Sequence, residues 1–124
     1  TYRSDAVIVA TATGSTGYSI SAGGPILSPE SKNIVINPVA THLGMDNPLV
    51  LPSDSCVEIS LKSDYEAVFS LDGRPDLELL PNESVRIVQS EYTAKFLRLN
   101  RPNEFYSVLT NRLNPEITEK QFSK

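Results

Sequence analysis

Asp5-Ala6-Val7-Ile8-Val9-Ala10 runs directly into Thr11-Ala12-Thr13-Gly14-Ser15-Thr16-Gly17-Tyr18-Ser19-Ile20-Ser21-Ala22-Gly23-Gly24-Pro25, and the change of character between the two decides the architecture. The first run is short, apolar and β-branched, the composition of a buried strand. The second is dense in small and hydroxylated residues, with Ser15 placed as an N-cap, a short helix expected from Thr16, and Gly23-Gly24-Pro25 as its stop. The segment therefore reads as strand, turn, short helix and stop.

Beyond Pro25 the pattern is a series of short strand candidates separated by Pro, Gly, Asn and Asp: 33–37, 56–62, 67–71, 77–80, 85–89 and 95–99. In the run from Cys56 to Lys62, Val57, Ile59 and Leu61 alternate with polar residues, so that strand is expected to have one wet face. No long helical pattern intervenes, which favours antiparallel pairing over βαβ units. Near the end Phe105, Val108, Leu109 and Leu113 recur at helical spacing between Asn103 and Asn114, and Pro115 ends the pattern. This amphipathic helix is expected to dock on its own core, on another domain or on a second subunit. Pro81-Asn82-Glu83-Ser84 and Arg101-Pro102-Asn103 read as turns. The expected class is mainly β, with stacked antiparallel sheets in a sandwich-like arrangement, one short helix after the glycine-rich loop and a C-terminal helix.

At 124 residues, with no linker-like boundary, the chain is the length of one domain, and 40% hydrophobic against 21% charged residues places it among folded globular chains. A formal net charge of -4 gives no support to a nucleic-acid groove, which leaves small phosphate ligands that need only local donors. The single cysteine, Cys56, cannot close an intrachain disulfide, and one histidine, His42, is too few for a Cys/His zinc cluster, so a reducing, cytoplasmic setting and no metal ligands in this chain are expected. No apolar run approaches the length of about 18 residues that a membrane span requires. Thr1 to Asp5 carries neither an initiator methionine nor a signal-peptide pattern, and the chain is expected to start inside a longer protein.

The chemistry is concentrated between Asp5 and Pro25. A helix N-terminus offers unpaired N–H groups, Gly14 and Gly17 allow close approach, and Thr13, Ser15, Thr16, Ser19 and Ser21 supply donors and acceptors for sugar hydroxyls. Tyr18 could stack on a base or pack internally. By itself a Gly/Ser/Thr-rich turn after a strand is more often only a turn, and Asp72-Gly73 is a strong turn signal whether or not it meets a ligand. His42 with Ser15 or Asp46 does not make a hydrolase triad, because Thr13-Gly14-Ser15-Thr16-Gly17 lacks the first glycine of the nucleophile-elbow pattern.

The gapless run from Thr11 to Pro25, preceded by an apolar strand headed by Asp5, resembles the signature of NAD kinases, which read Asp-Gly, a strand, then Thr-Pro-Thr-Gly-Ser-Thr-Ala-Tyr and Ser-Ala-Gly-Gly-Pro. The likeness continues through Asn47-Pro48-Leu49-Val50-Leu51-Pro52 and Leu71-Asp72-Gly73-Arg74. The resemblance implies a C-terminal, dinucleotide-binding β domain that follows an α/β domain not present here. It further implies that Thr16, Gly17, Tyr18 and Ser21 surround the adenosine of NAD, that Thr13 and Asp5 contact the nicotinamide riboside side, that Ala40 lines the pocket, and that Asp72 is a further contact. Ala6 and Ala12 stand where the family has glycine and proline, and Gly17 where it has alanine.

The family's Gly-Gly-Asp-Gly-Thr motif, whose aspartate is the expected base, does not occur, and Asn82-Glu83 and Asn103-Glu104 come too late in chain order to be its Asn-Glu pair. The resemblance thus implies an enzyme that transfers a phosphoryl group from ATP or polyphosphate, with a divalent metal such as magnesium, to the adenosine ribose 2′-hydroxyl of NAD, giving NADP. It implies an upstream domain as partner and a homo-oligomer, dimer or tetramer, with no catalytic residue in this chain and no activity by it alone. The alternative from another class is a non-catalytic β-sandwich module that binds a nucleotide or a protein.

Overall fold

A computed structural model of the chain describes residues 1–42, 46–62, 65–97 and 104–113. By contacts the chain divides into two compact units, Thr1–Glu91 and Tyr92–Lys124. The first holds all seven strands of the described residues, each paired in antiparallel fashion, as the short, punctuated runs favoured.

Three strands make the sheet on which the glycine-rich segment rests. β1 (Ala6–Ala10) pairs with β2 (Ile34–Val39) from Ala6↔Val39 to Ala10↔Val35, and β2 pairs with β3 (Leu49–Leu51) from Ile34↔Leu51 to Ile36↔Leu49. Strand periodicity puts Ala6, Ile8 and Ala10 on the same face as their partners Val39, Asn37 and Val35. Val35 is fully buried, which is worth about 1.5–3 kcal/mol for a side chain of this kind. Two alanines on β1 keep this face shallow, so backbone can approach closely: a Cβ added at Gly14 would lie 3.3 Å from that of Ala10. Pro38 has no N–H, and it sits in β2 beyond the last β3 pair, where a strand tolerates proline.

β4 (Val57–Ser60) pairs with β7 (Ser84–Ile87), and between them in sequence β5 (Ala67–Phe69) pairs with β6 (Leu77–Leu79). The alternation expected of β4 is present, with Val57 buried, Ile59 half-buried, and Glu58 and Ser60 exposed. Asp72 and Gly73 both have positive φ (48° and 72°), and Arg74 N–H closes the turn on Leu71 O at 2.9 Å. Two consecutive positive-φ residues define the type I′ turn preferred by hairpins. Leu71 faces Arg74 in the turn and Phe69 faces Leu77 in the strands, so the returning strand carries one extra residue there, next to Pro75. At the other turn Pro81 is followed by Asn82 at φ 69°, and Glu83 N–H bonds Leu80 O at 3.0 Å, the residue choice of a type II turn.

Three expectations are corrected. Leu49–Leu51 is a strand that the flanking prolines concealed. Residues 95–97 are not strand, and 98–99 lie outside the described residues, as do Arg101–Asn103, Asn114 and Pro115. The single helix from Thr16 is two helices, α1 (Ala12–Ser15) and α2 (Tyr18–Ser21), each of four residues. In the second unit the expected C-terminal helix is present as α3 (Phe105–Leu113); Arg112 in its last turn suits the helix dipole, and no residue of it is buried. No helix among the described residues is long and apolar enough to cross a membrane.

Candidate nucleotide-binding site

Ser15 is not an N-cap. It ends α1 with no exposed surface, its Oγ donating to Ala12 O at 2.7 Å and accepting from Leu27 N–H at 3.0 Å. Thr11 and Gly17 precede the two helices without a side-chain cap. Helices of one turn carry little summed dipole, so the anion-binding argument from a helix N-terminus loses its force here.

What the segment offers instead is a division into two faces. Ala12 and Ser15 of α1 and Ser19 of α2 are buried, while Thr13, Gly14, Gly17, Tyr18 and Ser21 are exposed and Thr16 is half-buried. The inner face is fastened to β2 by Asn37, which is 1% exposed and whose Nδ2 donates to Ser19 O at 3.0 Å and Ala22 O at 3.3 Å. Asn37 pairs with Ile8 in the middle of β1, so the two helices fold back across the sheet that they leave at Ala10. Gly24 completes the joint: a Cβ there would crowd Ser19 Oγ and lie 2.7 Å from Asn37 Nδ2 and 2.8 Å from Ser19 O.

The outer face thus presents the Thr13 and Ser21 hydroxyls and a tyrosine ring that is 67% exposed. Thr16 Oγ1 donates back to Thr13 O at 3.2 Å, which leaves its lone pairs as acceptors. Gly17 has φ -93° and ψ -130°, and its space is limited, with Gly14 O 3.3 Å from where a Cβ would stand. Hydroxyls and an aromatic ring suit sugar and base recognition.

A second group lies at the opposite end of β1. Asp5 N–H donates to Val39 O at 3.0 Å, Ala40 follows with φ 51°, and His42 N–H donates to Arg3 O at 2.8 Å. The chain bends at Ala40 but continues beside residues 3–5, and His42 Nε2 lies 3.1 Å from Asp5 Oδ1. Asp5 and Ala40 are therefore neighbours. His42 is a member of this cluster that sequence reasoning missed, having weighed it only against Ser15 and Asp46, and the signal was topological. Asp72 stands at the tip of the β5–β6 hairpin, in a sheet that shares no hydrogen-bonded strand with β1–β3. Exposed Cys56 accepts a hydrogen bond from Arg86 Nε at 3.2 Å, and that contact is the main cause of the raised Arg86 pKa. No group of three His, Cys, Asp or Glu side chains placed to hold a metal occurs among the described residues.

Both groups fall within the span matched by known proteins. The model of the ATP-NAD kinase C-terminal domain matches residues 1–99. An NAD kinase of Dehalococcoides mccartyi is 44% identical over 113 residues, 91% of this chain and 40% of its own length. One from Chloroflexus aurantiacus is 42% identical over 113 residues, 91% of this chain and 41% of its own length. Among solved structures, an NAD kinase from Archaeoglobus fulgidus in complex with ATP superposes with a TM-score of 0.75 at 28% identity, over 87% of this chain and 42% of that one. The yeast NADH kinase complexed with NADH superposes with a TM-score of 0.65 at 36% identity, over 70% of this chain and 25% of that one. The chain spans about two fifths of the length of the curated relatives it matches.

Proposed function

We infer function from one premise: the chain belongs to the ATP-NAD kinase family, whose C-terminal domain it matches. The whole protein transfers the terminal phosphoryl group of ATP, or of polyphosphate, to the 2′-hydroxyl of the adenosine ribose of NAD. A bond forms between that ribose oxygen and phosphorus, the bond to the leaving phosphate breaks, and the hydroxyl proton passes to a base on a domain upstream of Thr1. The phosphoryl donor, and a divalent metal such as magnesium to neutralise its charge, would be held largely by that upstream domain.

Within this reaction the present residues bind and orient. Thr16, Gly17, Tyr18 and Ser21 surround the adenosine, Tyr18 offering a ring face and Ser21 a hydroxyl. Thr13 and Asp5 take the nicotinamide riboside side, Asp5 as an acceptor for ribose hydroxyls, with Ala40 lining the pocket beside it and Asp72 adding a contact from its hairpin. Catalysis of phosphoryl transfer rests on positioning and electrostatics more than on covalent chemistry, so a domain that fixes the ribose contributes to rate without supplying a base. The observation that supports this reading best is the two-faced segment: its inner face is locked to the sheet and its outer face presents hydroxyls and an aromatic ring suited to a sugar and a base. The reading also makes the protein a cytoplasmic homo-oligomer, dimer or tetramer, in keeping with exposed apolar side chains such as Val68 and Leu77.

The test is to assay the full-length protein for NADP formation from NAD, ATP and magnesium, with the 124-residue chain assayed beside it. Turnover by the full-length protein and none by the chain is the expected result. Turnover in neither, with a dinucleotide that fails to bind, overturns the proposal and leaves a binding module of another ligand.

A further inference from the structure

The pair formed by His42 and Asp5 is held from both sides by backbone. Asp5 is fixed by its N–H bond to Val39 O at 3.0 Å, and His42 by its N–H bond to Arg3 O at 2.8 Å, so the two residues meet across the open end of the β1–β2 ladder. Between them Ala40 takes a positive φ of 51°, a conformation that costs an alanine energy and that the surrounding pairing must impose. The side chains then meet at 3.1 Å, Nε2 to Oδ1, although they are 70% and 67% exposed and would otherwise be free to point elsewhere.

An exposed pair of this kind adds little to stability. Its effect is on geometry. A carboxylate only accepts hydrogen bonds, so Nε2 carries the proton and donates, and the bond fixes the rotation of the Asp5 side chain. One oxygen is thereby engaged and Oδ2 is left to accept from a ligand in a defined direction. Preorganising one side chain in this way removes an ordering cost that the ligand would otherwise bear at binding.

We propose that His42 is a positioning residue for dinucleotide binding: it holds Asp5 so that one carboxylate oxygen faces the ribose hydroxyls of the nicotinamide half. The inference rests on the assignment of Asp5 to that ribose. It gives the chain's one histidine a role in affinity for the dinucleotide and none in handling the phosphoryl donor.

The experiment uses the full-length protein with steady-state kinetics in NAD and in ATP separately. His42→Ala is expected to raise the KM for NAD roughly three- to tenfold, the worth of ordering one side chain, with kcat and the KM for ATP unchanged. His42→Gln, whose amide N–H can donate from a similar distance, is expected to recover most of that loss, which a merely structural role would not predict. In an Asp5→Ala background, which has no acceptor for His42, His42→Ala is expected to add no further loss. Wild-type turnover checks the underlying assignment of function, so an unchanged KM for NAD in His42→Ala beside an active wild-type enzyme overturns this inference alone. A KM increase shared equally by ATP, or no recovery in His42→Gln at wild-type thermal stability, overturns it as well.

Discussion

Replacing Gly24 by alanine adds one methyl group where the segment is joined to the sheet. Its φ is not in the left-handed region, so the obstacle is space alone: the new carbon would crowd Ser19 Oγ, with Asn37 Nδ2 at 2.7 Å and Ser19 O at 2.8 Å. Overpacking a filled site costs about 1–3 kcal/mol. If the strain is relieved by displacing the Asn37 amide, its bonds to Ser19 O and Ala22 O are broken inside a buried joint, which costs about 1–3 kcal/mol more. The sum, about 2–6 kcal/mol, is a large part of an ordinary domain's stability of about 5–15 kcal/mol. Gly23→Ala is the matched control, because nothing lies within 4 Å of a Cβ there and only its φ of 79° is unfavourable, a penalty of about 1–2 kcal/mol. Urea unfolding followed by circular dichroism should show Gly24→Ala losing clearly more than Gly23→Ala, and Ser19→Ala in the Gly24→Ala background should restore part of the loss by removing one of the three obstructing atoms. Equal midpoints for Gly24→Ala and the parent chain would refute the joint as described.

Three further outcomes are expected. Ser15→Ala removes the hydroxyl that joins Ala12 O to Leu27 N–H and leaves that amide without its partner, and chemical denaturation should record a loss of about 1–3 kcal/mol. Tyr18→Ala should leave the unfolding midpoint in place, since the ring is 67% exposed, while calorimetric titration of the full-length protein with NADP shows affinity reduced about tenfold, the scale of one lost base-stacking contact. Asp72→Asn keeps a residue that tolerates the positive φ of 48° and should unfold as the parent does; weaker NADP binding by that variant is expected, and unchanged binding would reduce Asp72 to a turn residue.

The strands that alternate or form apolar runs were legible because period-two patterning is local: β1, β2, β4, β5, β6 and β7 all lie within or beside the expected runs. β3 was not, since three residues between Pro48 and Pro52 have no period to read, and its identity as a strand comes from pairing with Ile34–Ile36. The reverse error, at residues 95–97, has the same root: alternation invites a strand, and among those residues no partner supplies the ladder. The two-helix split was hidden because the buried face is Ala12, Ser15 and Ser19, small and polar residues that give no hydrophobic rhythm. Motif likeness named the outward residues, but their outward direction is set by the joint at Asn37, and the meeting of His42 with Asp5 depends on pairing across a bend at Ala40 that no local pattern announces.

The two faces of residues 12–21 also bear on how such a domain can diverge. Substitutions at Thr13, Tyr18 or Ser21 touch no buried joint, so they can be tried one at a time by mutation without a toll on folding, whereas a side chain at Gly17 must first displace Gly14 O. Ser15, Ser19, Gly24 and Asn37 are interlocked, and each restricts what its neighbours can become. Two separate demands therefore meet within ten residues: the inner set is constrained by folding, and the outer Thr13, Tyr18 and Ser21 only by what they bind.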